Sequence, residues 1–168
     1  MTEQRTEERT VVVRAARDHE EEKRLARRVR STWGDVVVRR GAAVDPAEGS
    51  LVGAFLDEEI VGVASYAVRD DGCEVVAIEA YQQRQGVATA LLDEIRERAR
   101  AAGCRRLWLI TTNDNVPAIA LYQRWGMDLL ALRHDAVTAA RSQHKPAIPE
   151  TGFEGIPIRH ELEFALEL

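Results

Sequence analysis

The sequence predicts an α/β (α+β) domain, with a mixed, mostly antiparallel central sheet and helices on both faces. Three observations carry this prediction. Leu51–Leu56, Ile60–Val68 and Glu74–Ala80 are apolar stretches joined by the tight turns Asp57-Glu58-Glu59 and Asp70-Asp71-Gly72, an antiparallel meander. The run from Val87 to Ala102 then places Ala88, Leu91, Leu92, Ile95, Ala99 and Ala102 on one helical face. After Gly103, Leu107-Trp108-Leu109-Ile110 is continuously apolar, as in a strand buried on both faces. A strand, a helix and a strand in that order make Glu74–Ala80 and Leu107–Ile110 parallel neighbours.

The other elements follow from local signals. Val11-Val12-Val13 is a first strand. Asp18 with Glu21 resembles a capping box, and acids (Glu20, Glu21, Glu22) precede bases (Arg24, Arg27, Arg28, Arg30), an order that complements the helix dipole. Leu25, Ala26 and Val29 form a narrow stripe, which predicts a surface helix stopped by Gly34. Trp33, at its end, fits either a packing anchor or a pocket wall. Val36-Val37-Val38 reads as a short extended piece and Arg39-Arg40 as a solvated pair. The second helix carries Glu94 with Arg98 and Glu97 with Arg100 on its wet side. Pro117 opens a third, bearing Ala118, Leu121, Tyr122 and Trp125, which Gly126 ends. Met127–Arg133 is a strand, Asp135–Arg141 a short helix, and 146–157 a Pro- and Gly-marked loop. In the tail, Leu162, Phe164, Leu166 and Leu168 alternate with Glu161, Glu163 and Glu167, which predicts a strand packed on one face only.

A length of 168 residues suits a single domain, 1–168, with residues 1–9 polar and flexible. A net charge of -5 and a pI near 5.5 argue against sequence-independent nucleic-acid binding. No apolar run reaches the length of a bilayer span, and the N-terminus lacks the apolar core of a signal peptide. The expectation is a cytoplasmic protein, monomer or homodimer, with no nucleic-acid or membrane partner. Cys73 and Cys104 sit at strand starts and read as reduced, buried thiols. His19, His134, His144 and His160 are scattered, so no metal is expected.

Two polar, glycine-marked turns fall at the C-terminal ends of the two parallel strands, the edge where such sheets bind ligands. In the first, the chain passes from Glu74–Ala80 through Tyr81–Gly86 into a helix. Free N–H groups and the positive helix end converge there and suit a phosphate. Gly86 and Ala88 leave room for close backbone approach. Gly-Lys-Ser/Thr is absent, which disfavours a P-loop nucleotidase. The second turn, Thr111–Asn115, leads into N-x-x-A-x-x-L-Y-x-x-x-G, formed by Asn115, Ala118, Leu121, Tyr122 and Gly126.

With both motifs in place, the chain resembles the GNAT superfamily of N-acetyltransferases. Gln83-Arg84-Gln85-Gly86-Val87-Ala88 matches that family's Q/R-x-x-G-x-G/A signature, and Leu121–Met127 ends its following helix. The order of elements extends the likeness over nearly the whole chain. Gly155–Arg159 with Thr111–Asn115 is similar to an uncharacterised bacterial subgroup of it. Two departures stand out: Ala88 replaces the commoner glycine, and Gln82 stands where an aromatic residue is frequent.

The resemblance implies a GNAT-like acyl-CoA N-acyltransferase fold with acetyl-CoA as co-substrate. Pantetheine would pair with backbone at Ile78, Glu79 and Ala80, and pyrophosphate would rest on the turn Gln83, Arg84, Gln85, Gly86, Val87, Ala88 and Thr89. Asn115 would bond the pantetheine arm, and Tyr122 would protonate the leaving thiolate. Glu74 and Glu79 are candidate bases for an amine acceptor, small molecule or peptide. A solvated strand-end carboxylate is the alternative for each. In a regular strand the two point to opposite faces. Trp33, residues 35–45 and the 135–160 loop are candidate walls for the acceptor. Neither cysteine lies on a motif, so direct attack in a ternary complex is expected rather than a covalent intermediate. The rival reading is a non-catalytic acyl-CoA sensor or interaction domain that keeps the phosphate turn without the acid and base.

Overall fold

The structure, a computed structural model, describes residues 10–81 and 86–168. Among the described residues, nine strands and four α-helices are arranged around one seven-stranded sheet. The strands are β1 (Val11–Arg14), β2 (Val37–Arg39), β3 (Ala42–Val44), β4 (Ser50–Leu56), β5 (Glu59–Arg69), β6 (Gly72–Ala80), β7 (Arg106–Thr112), β8 (Asp128–Arg133) and β9 (Glu161–Glu167). The helices are α1 (His19–Trp33), α2 (Val87–Ala101), α3 (Val116–Trp125) and α4 (Ala136–Gln143). The sheet order is β1-β4-β5-β6-β7-β9-β8. Among the described residues only β6 and β7 pair in parallel, and every other ladder is antiparallel. The predicted meander and the β6–α2–β7 crossover are both present.

Two apolar layers hold the helices on. On one face, Leu91, Leu92 and Ile95 of α2 and Tyr122 of α3 pack with Val75, Leu107, Leu109 and Phe164. On the other, Leu25 and Val29 of α1 pack with Phe55, Val63 and Ala77. The helix α1 starts as its sequence predicts: the Asp18 side chain accepts from the Glu21 N–H. Glu21 does not return the bond to the cap. It accepts from Arg14 and from the Arg17 N–H instead, tying the helix start to β1. On the wet side of α2 the Glu94–Arg98 and Glu97–Arg100 pairs form as expected.

Gly62 of β5 lets α2 begin close to the sheet. A Cβ there would lie 2.6 Å from the Val87 Cγ1 and 3.0 Å from the Glu79 carbonyl oxygen. Gly62→Val should therefore lower stability by about 1–3 kcal/mol through overpacking. A urea titration checks this, read as a lower midpoint at unchanged slope.

Three expectations are corrected. The first concerns β6. Ser65 pairs with Ala77 and Tyr66 with Val75, so Val76 is an extra residue, a β-bulge. The bulge reverses the alternation. Cys73 and Val75 face α2, but so do Ile78 and Ala80, while Ala77 faces α1. Glu74 and Glu79, which regular alternation sends to opposite faces, thus share the α1 face.

The second concerns Arg39 and Arg40. Arg39 is buried, and Arg40, although exposed at the hairpin tip, is tied down by the sheet. The strands β2 and β3 form a separate hairpin closed by Arg40 and Gly41, both at positive φ. This hairpin lies over the sheet. Arg39 is bound side-on to Glu74, and the Arg40 guanidinium stacks 3.7 Å over the Trp108 ring while bonding Glu163 and Asp71.

The third concerns the tail. The strand β9 is interior, between β7 and β8, and its Glu161 and Glu163 side is covered by that hairpin. Alternation of Leu and Glu resembles a one-sided strand. Here the acids are buried against arginines, with Glu163 held by Arg40, Arg106 and Arg133.

Candidate active site

Pairing between β6 and β7 stops early. The parallel register runs Cys73–Leu107, Glu74–Trp108 and Val75–Leu109, and no further. From the Val76 bulge onward β6 stays paired to β5, and β7 stays paired to β9, but the facing edges splay apart. The residues from Val76 to Ala80 thus present backbone groups with no strand opposite. A cavity of about 910 Å³ occupies this splay. It is lined on the α2 and α3 side by residues including Gly86, Thr89, Asn115 and Tyr122. On the α1 side its walls include Trp33, Val38, Arg39, Val137, Ile148 and Glu161.

The α2 end of the cavity suits an anion. Gly86 caps the helix at φ 68°, a left-handed conformation that other residues adopt at a cost, and a Cβ on it would meet nothing within 4 Å. Among the described residues no side chain caps α2, and its first turn holds no acid. The N–H groups of Val87, Ala88 and Thr89 have no partner among the described residues. Gln83, Arg84 and Gln85, the rest of the predicted phosphate turn, lie outside the described residues.

The helix α3 brings in two further candidates. Asn115 caps it, its Oδ1 accepting from the Ala118 N–H at 3.4 Å, and it also lines the cavity. Tyr122 is 6% exposed, with its ring 5.7 Å from that of Phe164. Its hydroxyl has no hydrogen-bond partner among the described residues. Burial pushes its pKa up to about 12, so the hydroxyl stays protonated.

The acids part company. Glu79 is half-buried in the cavity wall and accepts from the Thr32 hydroxyl. Ile78 and Ala80, its neighbours, line the same wall. Glu74 is not in that wall. It is fully buried, bound by Arg39 and by Arg69 at 2.7 Å.

The carboxylate that sequence reasoning missed is Glu161. It is 2% exposed and lines the cavity, with Oε2 accepting from the Arg40 N–H at 3.2 Å. Burial pushes its pKa above the usual carboxylate range. Its place in an alternating Leu–Glu tail carried no signal of this. Trp33 serves both of its readings, packing against the α1 layer and lining the cavity.

Neither thiol is in the wall. Cys73 is buried with its pKa raised to about 12 by desolvation, and Cys104 is half-buried; both are free. His134 and His160, distant in sequence, come together with ring centroids 4.6 Å apart beside Asp135. There the His160 Nδ1 accepts from the Asp135 N–H, and Asp135 is bonded by Arg159. No helix among the described residues is long and apolar enough to cross a membrane.

The chain is similar to known proteins. The uncharacterized protein YdhI of Bacillus subtilis is 43% identical over 107 residues, 64% of this chain and 66% of that protein. The match therefore spans just under two thirds of YdhI. A solved Bacillus subtilis acetyltransferase in complex with CoA superposes with a TM-score of 0.71 at 18% identity, covering 95% of this chain and 99% of that one. A GNAT family acetyltransferase from Elizabethkingia anophelis with acetyl-CoA bound gives 0.68 at 17% identity, covering 94% and 98%. These two likenesses concern the fold. The sequence model of the acetyltransferase (GNAT) family matches residues 9–127, which include the splayed strands, the start of α2 and the whole of α3. The chain belongs to the GNAT acetyltransferase family, whose co-substrate is acetyl-CoA.

Proposed function

We propose that the protein transfers the acetyl group of acetyl-CoA to a primary amine by direct attack in a ternary complex. The observation that carries this reading is the cavity through the β6–β7 splay, with the start of α2 and the Tyr122 hydroxyl, both without a side-chain partner among the described residues, in its walls. When bound, acetyl-CoA supplies an activated acetyl group and a thiolate leaving group.

The chain's own residues do the rest. The free edge at Ile78, Glu79 and Ala80 orients the pantetheine arm like an added strand. The N–H groups of Val87, Ala88 and Thr89, with Gln83, Arg84, Gln85 and Gly86 of the turn, hold the pyrophosphate. Asn115 keeps its Nδ2 for the arm while its Oδ1 caps α3. Tyr122 donates a hydrogen bond to the sulfur as negative charge gathers there. Its raised pKa suits a donor that stabilises the thiolate. Glu79 lies on the acceptor side of the splay and is one candidate base. Glu74, spent on two arginines, positions the β2–β3 hairpin. The buried Cys73, whose thiol is hard to ionise, offers no nucleophile for a covalent route.

The test is CoA release from acetyl-CoA over a panel of amines, comparing wild type with Tyr122→Phe. Turnover by wild type is expected, with kcat lowered about 100-fold in the variant and the acetyl-CoA KM little changed. Tight acetyl-CoA binding without turnover on any amine would contradict transfer and favour an acyl-CoA sensor.

A further inference from the structure

The charged groups on the acceptor side of the cavity are of two kinds. Arg39 and Glu161 have ion partners: Arg39 is paired with Glu74, and Glu161 has Arg133 at 4.0 Å. Glu79 and Lys145 have none among the described residues. Both are half-buried and line the cavity. The last turn of α1 holds the two of them. The Thr32 hydroxyl donates to the Glu79 carboxylate, and the carbonyl of the next residue, Trp33, accepts from the Lys145 ammonium at 2.7 Å. The Val36 carbonyl takes a second Lys145 N–H at 2.8 Å. A cation suits a helix C-terminus, so Lys145 also closes α1. Carbonyl oxygens hold an ammonium without cancelling its charge, and the third N–H has no partner among the described residues. The cavity thus meets an unmatched carboxylate and an unmatched ammonium, tied to consecutive residues of one helix. The wall beside them is apolar: Val37, Val38, Val137 and Ile148.

We infer that the acceptor is an α-amino acid with an apolar side chain, its ammonium bound by Glu79 and its carboxylate by Lys145. The inference rests on the acetyl-transfer reading above and names its acceptor class. An α-amino acid carries its two charges on one carbon, as the end of α1 presents their complements side by side. Each charge of the ligand finds the partner that the wall itself does not supply, in charge-assisted hydrogen bonds. Arg39 adds positive charge to the same wall, although its guanidinium is committed to Glu74. An amine without a carboxylate leaves the Lys145 charge unmatched in a closed complex, and a carboxylate without an amine is repelled by Glu79. The valines and Ile148 favour an apolar side chain over a polar one. In the transfer, the nitrogen lone pair forms the N–C bond to the acetyl carbon, and the C–S electron pair leaves on sulfur. Of the two protons the ammonium loses, one neutralises that sulfur and the other passes to solvent. The products are an N-acetylamino acid and CoA.

The experiment measures CoA release and acetylated product with the full chain, using acceptors matched in body and different in charge. These are leucine and phenylalanine, their amides, the decarboxylated amines isoamylamine and phenethylamine, and a short peptide with a free N-terminus. The two amino acids should exceed the amides, the amines and the peptide by about tenfold or more in kcat/KM. That comparison uses the wild-type protein alone. Lys145→Gln removes the charge and keeps two N–H donors for the Trp33 and Val36 carbonyls, so it should fold, as a thermal melt checks. It should lower kcat/KM for leucine by about tenfold, chiefly through KM, and leave isoamylamine turnover and the calorimetric acetyl-CoA affinity near those of wild type. Equal or better turnover of the amines or amides would overturn the carboxylate site. An undiminished preference for leucine in folded Lys145→Gln would overturn the role of Lys145. Turnover confined to the peptide overturns this inference and leaves acetyl transfer standing. No turnover on any acceptor removes both.

Discussion

Gly86→Glu is expected to weaken acetyl-CoA binding by roughly a hundredfold or more while the protein stays folded. The two halves of this prediction have separate causes. Gly86 sits at φ 68°, where a side chain costs about 1–2 kcal/mol. A Cβ there meets open space, so no packing is lost. A carboxylate at the start of α2 also interacts favourably with the helix dipole, which offsets part of that cost. The same carboxylate occupies the anion site and repels a pyrophosphate at close range. Calorimetry with acetyl-CoA reads the affinity, and circular dichroism with a thermal melt reads the fold. Unchanged affinity in a folded variant would remove the phosphate cradle from α2.

The second large effect is on stability. Glu74→Leu should destabilise the protein by about 3–5 kcal/mol, because Arg39 is left buried without its anion. Arg69 is more exposed and has Glu48 at 3.6 Å, so it is less affected. Adding Arg39→Met to Glu74→Leu should recover most of the loss, since neither buried charge then remains. Chemical denaturation of the two single variants and the double variant closes the cycle. The double variant also separates two roles for Glu74. If this residue positions the hairpin, the repaired core retains acetyl transfer; if it is a base, activity stays lost despite recovered stability.

Legibility differed between elements for physical reasons. The α2 face, the apolar run of β7 and the meander are set by local periodicity, and all three formed as predicted. Asn115 and Tyr122 both line the cavity, because a helix start and a spacing of about two turns fix where they fall. What could not be read depended on contacts distant in sequence. The Val76 bulge arises from register against Ser65 and Tyr66, and it alone brings Glu74 and Glu79 to one face. Arg39 and Arg40 resemble a solvated pair until the β2–β3 hairpin folds over Trp108 and Glu74. Glu161 and Glu163 mimic a wet face, because alternation records which residues share a side and not whether that side is covered. The acceptor wall joins α1, the hairpin and the 134–160 connection, with Lys145 bonded to the Trp33 carbonyl, so no local stretch of sequence contains it.

Direct transfer from acetyl-CoA to an amine across the β6–β7 splay passes through no acetylated enzyme. Mass spectrometry of enzyme and products after incubation with acetyl-CoA, first alone and then with the panel of amines, tests this most directly. Direct transfer predicts unmodified enzyme in the first sample, and N-acetylated amine with one CoA released per product in the second. An acetylated enzyme that passes its label to the amine, or CoA released with no acetylated amine, would contradict it.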